Sequence, residues 1–142
     1  MGPSPRPGNG SIFPRMAIGH DRGRQGEERA AQYLERRGWE VLARNWRDGP
    51  RELDLVVFRS GVLAFVEVKT RKGDRCGIPT EAVTWRKRRE IERAASSWLR
   101  QFGPSLAAVD EVRFDVLAVH WGSGPSGEDA MEHLEHAWWK GD

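Results

Sequence analysis

The sequence predicts an α/β fold, a mixed β-sheet of about four to five strands flanked by helices. Three observations predict it. Two apolar runs, Arg51 to Phe58 and Val62 to Arg71, flank a Ser60-Gly61 pair suited to a two-residue hairpin turn. Two segments, Asp21 to Arg37 and Thr80 to about Phe102, carry helical periodicity instead. A third strand-like run, Glu111 to Trp121, follows the longer helix, so helices can pack on a sheet built from distant pieces. At 142 residues the chain is long enough to bury one core, and residues 21–142 are expected to form a single domain.

Residues 1–20 contain Gly, Pro, Ser and Asn with little periodicity and are expected to be disordered, with Met16 available as an alternative start. In the first helix Ala30, Ala31, Tyr33 and Leu34 form the apolar stripe, and Gly38 supplies a C-cap. Glu27 precedes Ala31 and Leu34 by four and seven positions, which puts it on the core-facing edge. Glu28 aligns with Gln32 and Glu35 on the wet side. Glu27 therefore reads either as an inward carboxylate or as an early acid that favours the helix dipole.

Trp39 to Trp46 reads as the first strand, turned by Asp48, Gly49 and Pro50 into the central hairpin; Arg44 and Asn45 are structural or phosphate-facing. Beyond the hairpin, Lys72 to Pro79 is a polar loop that includes Arg75 and Cys76. Thr80 is expected to cap the long helix, and Gly103-Pro104 to end it. The inward stripe of that helix, Ile91, Ala94, Ala95, Trp98, Leu99 and Phe102, extends back one turn to Lys87. Arg86, Arg88 and Arg89 spread around it, mostly as a solvated face. In the strand Glu111–Trp121, Arg113 and Asp115 share a face and read as a structural ion pair. Gly122 to Asp129 is a loop, and Ala130 to Trp139 a short terminal element. His133 and His136 stand three apart, a spacing that permits metal binding on a helix, but no third ligand is near and they read as surface or packing residues.

The register of the hairpin carries the functional argument. With Ser60-Gly61 as the turn, Arg59 pairs with Val62, Asp54 falls opposite Glu67, and Glu52 opposite Lys69. Directly opposed side chains have Cβ atoms about 4.5–5.5 Å apart, and like charges so placed repel. Two facing carboxylates beside apolar neighbours either share a proton or gather a cation. With Lys69 alongside, a hard divalent ion, Mg²⁺ or Mn²⁺, is the natural occupant. The alternative is a solvated charged face with Glu52–Lys69 as an ordinary cross-strand ion pair.

Asp54 followed by Glu67-Val68-Lys69 on the next strand resembles the Asp…(Asp/Glu)-x-Lys signature of restriction-endonuclease-like nucleases, which include Holliday junction resolvases. The ordered series Gly26-Glu27, Ala30, Tyr33-Leu34, Arg44-Asn45, Glu52-Leu53-Asp54, Phe65 to Arg71, Lys87 and Arg113-Phe114-Asp115 resembles the YraN-like uncharacterised bacterial proteins, over about residues 22–139. The resemblance implies a restriction-endonuclease-like core and a nuclease-like domain. It also implies a metal-dependent hydrolysis of phosphodiester bonds in nucleic acid, in particular branched DNA. In that reading Asp54, Glu67 and the Val68 carbonyl hold Mg²⁺ or Mn²⁺. Lys69 serves the attacking water, and Glu27 and Lys87 contribute from the helices. Arg71, Arg75, Arg86 and Lys87 are the nucleic-acid-binding residues.

Composition sets the remaining bounds. Hydrophobic content of 38% with 31% charged residues suits a soluble globular protein. The net charge of +2 does not by itself call for nucleic acid, but residues 71–93 carry a local +4. No window reaches the length of a transmembrane helix and no apolar run resembles a secretory signal, so no membrane partner and a cytoplasmic location are expected. The single Cys76 excludes an intramolecular disulfide and a Cys-based zinc site. A homodimer is allowed. Two other functions stay open: a nucleic-acid-binding or accessory protein that keeps the scaffold without turnover, and an interaction module whose seven tryptophans form a partner surface.

Overall fold

In the computed structural model of the protein, residues 22–72 and 83–142 are described. The expectations for residues 1–20, Arg75 and Cys76 fall outside them, as does Thr80 itself. Helix α1 (Arg22–Arg36) is followed by strands β1 (Glu40–Asp48), β2 (Arg51–Arg59) and β3 (Val62–Lys72), then helix α2 (Trp85–Phe102), β4 (Glu111–Trp121) and β5 (Ala130–Trp138). The strands form one mixed sheet in the order β1-β2-β3-β4-β5. Only β3 and β4 run parallel, and α2 lies in the long crossover that parallel pairing requires.

Local chemistry sets the boundaries. Past the end of α1 the Trp39 N–H reaches back to the Leu34 carbonyl (3.0 Å) and the Gly38 N–H to Glu35 (3.0 Å), the paired bonds of a Schellman cap. Ser60 and Gly61 both have positive φ, 50° and 82°, as a type I′ hairpin turn demands. The N-cap of α2 is Thr84, whose side chain accepts from the Lys87 N–H at 3.1 Å. This corrects the expected Thr80 cap. Both residues suit the role, and Thr84 stands directly before the helix. The terminal element is a strand antiparallel to β4, which removes the helical spacing considered for His133 and His136.

The sheet is buried on both faces, which explains why β2, β3 and β4 read as near-continuous apolar runs. Against one face α2 sets Ile91, Ala94, Ala95 and Trp98 over Leu63, Phe65, Val56 and Phe114. Trp98 meets Phe65 edge-on, with ring centroids 5.9 Å apart. Against the other face α1 sets Ala30, Ala31 and Leu34 over Leu55, Val57, Ala64, Val66, Leu117 and Val119. Small alanines on α1 let that helix lie close to the strands.

Where β4 meets β5 the register shifts between Phe114 and Val116, and His136 on β5 has φ 54°. The fully buried Asp115 fills this irregularity. It accepts from the Arg113 guanidinium (2.9 and 3.2 Å), bonds His133 Nε2 (2.8 Å) and accepts from the His136 N–H (3.0 Å). Burial alone would raise its pKa, but the bonds from His133, Arg113 and the His136 backbone outweigh it and hold the carboxyl below its ordinary 3.8. Because the folded value is depressed, the stabilisation is present above the ordinary value and lost as pH falls below it. Asp115→Ala should therefore cost about 3–5 kcal/mol in urea unfolding at neutral pH, because it strips the Arg113 guanidinium, the His133 ring and the His136 N–H of their buried partner. The gap from the parent should narrow in acid; an equal gap at all pH values would discount the ion pair.

Candidate functional site

The β2–β3 pairing runs from Arg59↔Val62 to Leu55↔Val66, which is the register read from the sequence. There the ladder stops. Beyond it β2 keeps its pairing to β1, through Leu53↔Trp46 and Glu52↔Arg47, while β3 keeps its pairing to β4 as far as Lys72↔Trp121. The sheet thus forks, and Asp54 stands at the fork. Its Oδ2 accepts from the Val68 backbone N–H at 2.9 Å, taking a donor that the parted strands leave without a ladder partner.

Three more groups enter the fork. Glu67 on β3 shares the α2 face with Phe65 and is only 7% exposed. Lys69 Nζ lies 3.7 Å from Glu67 Oε2, and Lys87 on the first turn of α2 bears on the same carboxylate electrostatically. Glu27 arrives from α1 on the opposite face. Gly26 makes that possible, because a Cβ there would overlap the Thr70 side chain of β3. Burial and then the charge of Asp54 push Glu67 up to about 8, against the pull of Lys87 and Lys69. Burial, then Asp54, and further down Glu52 push Glu27 up to about 8 as well, opposed by Arg24. Near neutral pH the cluster therefore holds protons that a cation would displace.

The residues fit a hard divalent ion. All the converging donors are oxygens, and Glu27 Oε1 and Glu52 Oε2 are buried without a hydrogen-bond partner. Among the described residues, no group of three or more His, Cys, Asp or Glu side chains is arranged to hold a metal ion unaided. Mg²⁺ does not require one, since it keeps several waters and is bound through one or two carboxylates plus substrate phosphates.

The structure thus brings together Glu27, Asp54, Glu67 and Lys69, with Lys87 beside them and Val68 joined through its backbone. Arg71 follows on β3, half-buried, its guanidinium bonded to the Thr70 carbonyl (3.2 Å). Arg86 is exposed on the first turn of α2, and Arg75 lies outside the described residues. Two expected pairings are corrected. Neither Asp54 and Glu67 nor Glu52 and Lys69 are ladder partners, because the β2–β3 ladder ends at Leu55–Val66; Asp54 bonds the Val68 N–H, Lys69 leans on Glu67, and Glu52 contributes to the field at Glu27. Glu28 and Arg44 bond each other at 2.8 Å and tie α1 to β1. The role of Glu52 was missed, and its position two residues before Asp54 on one strand face was the available signal.

The model of "Uncharacterised protein family UPF0102" matches residues 26–119, a span that holds every one of these site residues. The chain belongs to this family. A UPF0102 protein of Rhodococcus opacus (strain B4) is 44% identical over 115 residues, covering 81% of this chain and 93% of its own. One from Nocardia farcinica (strain IFM 10152) is 42% identical over 126 residues, covering 88% and 94%. One from Porphyromonas gingivalis (strain ATCC BAA-308 / W83) is 43% identical over 122 residues, covering 86% and 87%. Among solved structures, Pyrococcus furiosus SfsA in complex with Ca²⁺ aligns with 80% of the UPF0102 chain and 62% of its own, less than two thirds. At 21% identity and a TM-score of 0.37, that likeness supports no inference. No described helix of the UPF0102 chain is long and apolar enough to cross a membrane.

The carboxylate cluster makes a thermodynamic prediction for the metal-free protein. Glu27 and Glu67 have folded values raised above their ordinary 4.5, so the stability they contribute is fully present below that value and lost as pH rises through about 8. Melts in chelator should fall in Tm from about pH 6 to about pH 9. Glu67→Gln should flatten the fall, and added Mg²⁺ should raise Tm in the parent only. Identical pH profiles for parent and variant would dismiss the cluster as a stored repulsion.

Proposed function

We propose that the protein is a divalent-metal-dependent nuclease that hydrolyses phosphodiester bonds in nucleic acid, with branched DNA as the substrate its family resemblance favours. The observation that supports this reading is the fork itself, where three acids from two strands and a helix converge with Lys69 and Lys87. Asp54 and Glu67, with the Val68 carbonyl, would hold Mg²⁺ or Mn²⁺. When bound, such an ion supplies Lewis-acid polarisation of the scissile phosphate and acidifies nearby water.

The chain's own residues do the rest. Lys69 orients the attacking water, accepts or steers its proton, and counters the charge that develops on the phosphoryl oxygens. Its contact with Glu67 fixes the ammonium at the mouth of the fork. Glu27 is an additional carboxylate with a buried, unbonded oxygen, suited to orienting water or completing the cation's shell. Lys87 brings a second positive charge to the Glu67 side. Arg71, Arg75 and Arg86 carry the local positive charge that would position the phosphate backbone without reading bases.

A panel of branched, flapped, single- and double-stranded substrates with Mg²⁺ or Mn²⁺ tests the reading. Loss of groups one step removed from a metal costs about 10–100-fold, so Asp54→Asn and Glu67→Gln should each reduce cleavage by at least roughly 100-fold. Lys69→Ala should also slow turnover. Affinity should hold or rise in both carboxylate variants, because negative charge beside phosphate is removed. Cleavage by Asp54→Asn at the parental rate would refute the assignment. Binding without cleavage by the parent would favour an accessory protein.

A further inference from the structure

The carboxylate fork leaves two exposed tryptophans without a role. Trp85, the first residue of α2, is 65% exposed, and Trp139, just past β5, is 61% exposed. They are linked through one arginine. The Arg89 guanidinium lies over the Trp85 ring, 4.7 Å from its centroid, and donates to the Asp142 carbonyl oxygen at 2.8 Å. The Asp142 N–H in turn bonds the Trp139 carbonyl at 3.0 Å. Trp139 is also braced, its ring 4.0 Å from that of His136. Between α2 and the end of β5 lies a cavity of about 310 Å³, lined by Ser96, Leu99, Val112, Phe114 and Trp139 among others.

Cations alternate with these rings. Arg86 is exposed beside Trp85, Lys140 follows Trp139, and Arg88 lies over Trp138 at 5.5 Å. Of the acids near the seam, Glu92 is buried and engaged by Arg89 and by Trp138 Nε1 (2.9 Å), Asp142 is tied to Arg89 through its main chain, and Glu90 is exposed on α2. Two exposed indoles, each followed directly by an exposed cation (Arg86 and Lys140), suit an unpaired nucleic-acid strand, whose bases offer stacking faces and whose phosphates need cations. Duplex bases are already stacked on each other and gain little from it. The surface is continuous with the fork, because Trp85 and Lys87 belong to the same first turn of α2.

We propose that Trp85 and Trp139 are stacking platforms for unpaired bases, so that this seam binds a single strand leading to or from the carboxylate fork. Placing the strand there rests on the nuclease reading; the stacking itself does not. Arg89 acts as a positioning residue that holds the Trp85 ring from one side and leaves the rest of the residue open.

The test is titration of full-length Glu67→Gln protein, which keeps the seam, with fluorescent deoxy- and ribo-oligothymidylate-type single strands and a blunt duplex. Trp85→Ala and Trp139→Ala should each weaken single-strand binding by roughly 5- to 150-fold, the range for loss of one stacked base. Duplex affinity and the salt slope should stay near the parent's, because no phosphate contact is removed. Phe at either position should restore most of the affinity, which guards against a folding defect in the Ala variants. Unchanged single-strand affinity in the double Ala variant would overturn the proposal, as would a change confined to self-association in sedimentation. Parental-rate single-strand cleavage by an otherwise parental protein carrying both Ala changes, with unchanged strand affinity, would leave the nuclease reading intact while removing the seam. Tryptophan-dependent strand binding without any cleavage by the parent would do the reverse.

Discussion

The site depends on the parting of β2 from β3 after the Leu55–Val66 pair. Parted strands would normally leave backbone N–H and C=O groups unpaired in an interior, which is costly. Here each arm has another neighbour: β1 takes the β2 arm and β4 the β3 arm. The outer strands are therefore conditions for the fork and not decoration around it. At its vertex the Asp54 carboxylate accepts the Val68 N–H, so the side chain that gives the site its charge also closes the hydrogen-bond ladder. Any change that restored regular pairing below Leu55 would shut the cleft.

Holding acids together at such a point costs free energy, and the source of the opposing work is visible. Two apolar layers, one under each helix, fix the strands and helices that carry Glu27, Asp54 and Glu67. Close packing transmits that constraint, since a core at crystal-like density cannot relax outward to separate three side chains. Protons reduce the repulsion in the absence of a cation, and Lys69 and Lys87 reduce it further at Glu67. The site is thus poised: the apolar core sustains an electrostatic arrangement that the charges alone would not choose.

Much of this was legible in the sequence because it follows from period and turn chemistry. Ser60-Gly61 fixes the hairpin, and the hairpin fixes the register as far as Leu55–Val66, which brings Asp54 and Glu67 to the end of the same ladder. The stripe of α1 singles out Glu27 over Glu28 by the same logic. What escaped was tertiary. A ladder that stops at Leu55 has no local signature, so strand alternation alone sets Asp54 opposite Glu67 and Glu52 opposite Lys69. Thr80 and Thr84 are equally good caps by composition. Residues 130–138, with histidines three apart, do not reveal that their neighbour in space is β4, and their pattern specifies no more than a short terminal element. The close approach allowed by Gly26 needed the position of Thr70, which lies far along the chain.

The two aspartates of the sheet show why such a site needs coordinates as well as a pattern. Asp54 and Asp115 are both inward-facing strand residues next to an irregular register, and both stand near arginines or lysines. Asp115 is saturated: a guanidinium, a histidine and a backbone N–H use both its oxygens, with no exposure. Asp54 has one backbone donor and two carboxylate neighbours. The first arrangement leaves no lone pair directed at a ligand, and its work is finished when the chain folds. The second leaves carboxylates crowded together, with Glu27 Oε1 and Glu52 Oε2 lacking a hydrogen-bond partner, a state relieved in part by protons and open to a cation. Unfinished electrostatics of that kind, held by finished packing, is what separates the candidate site from the structural ion pair two strands away.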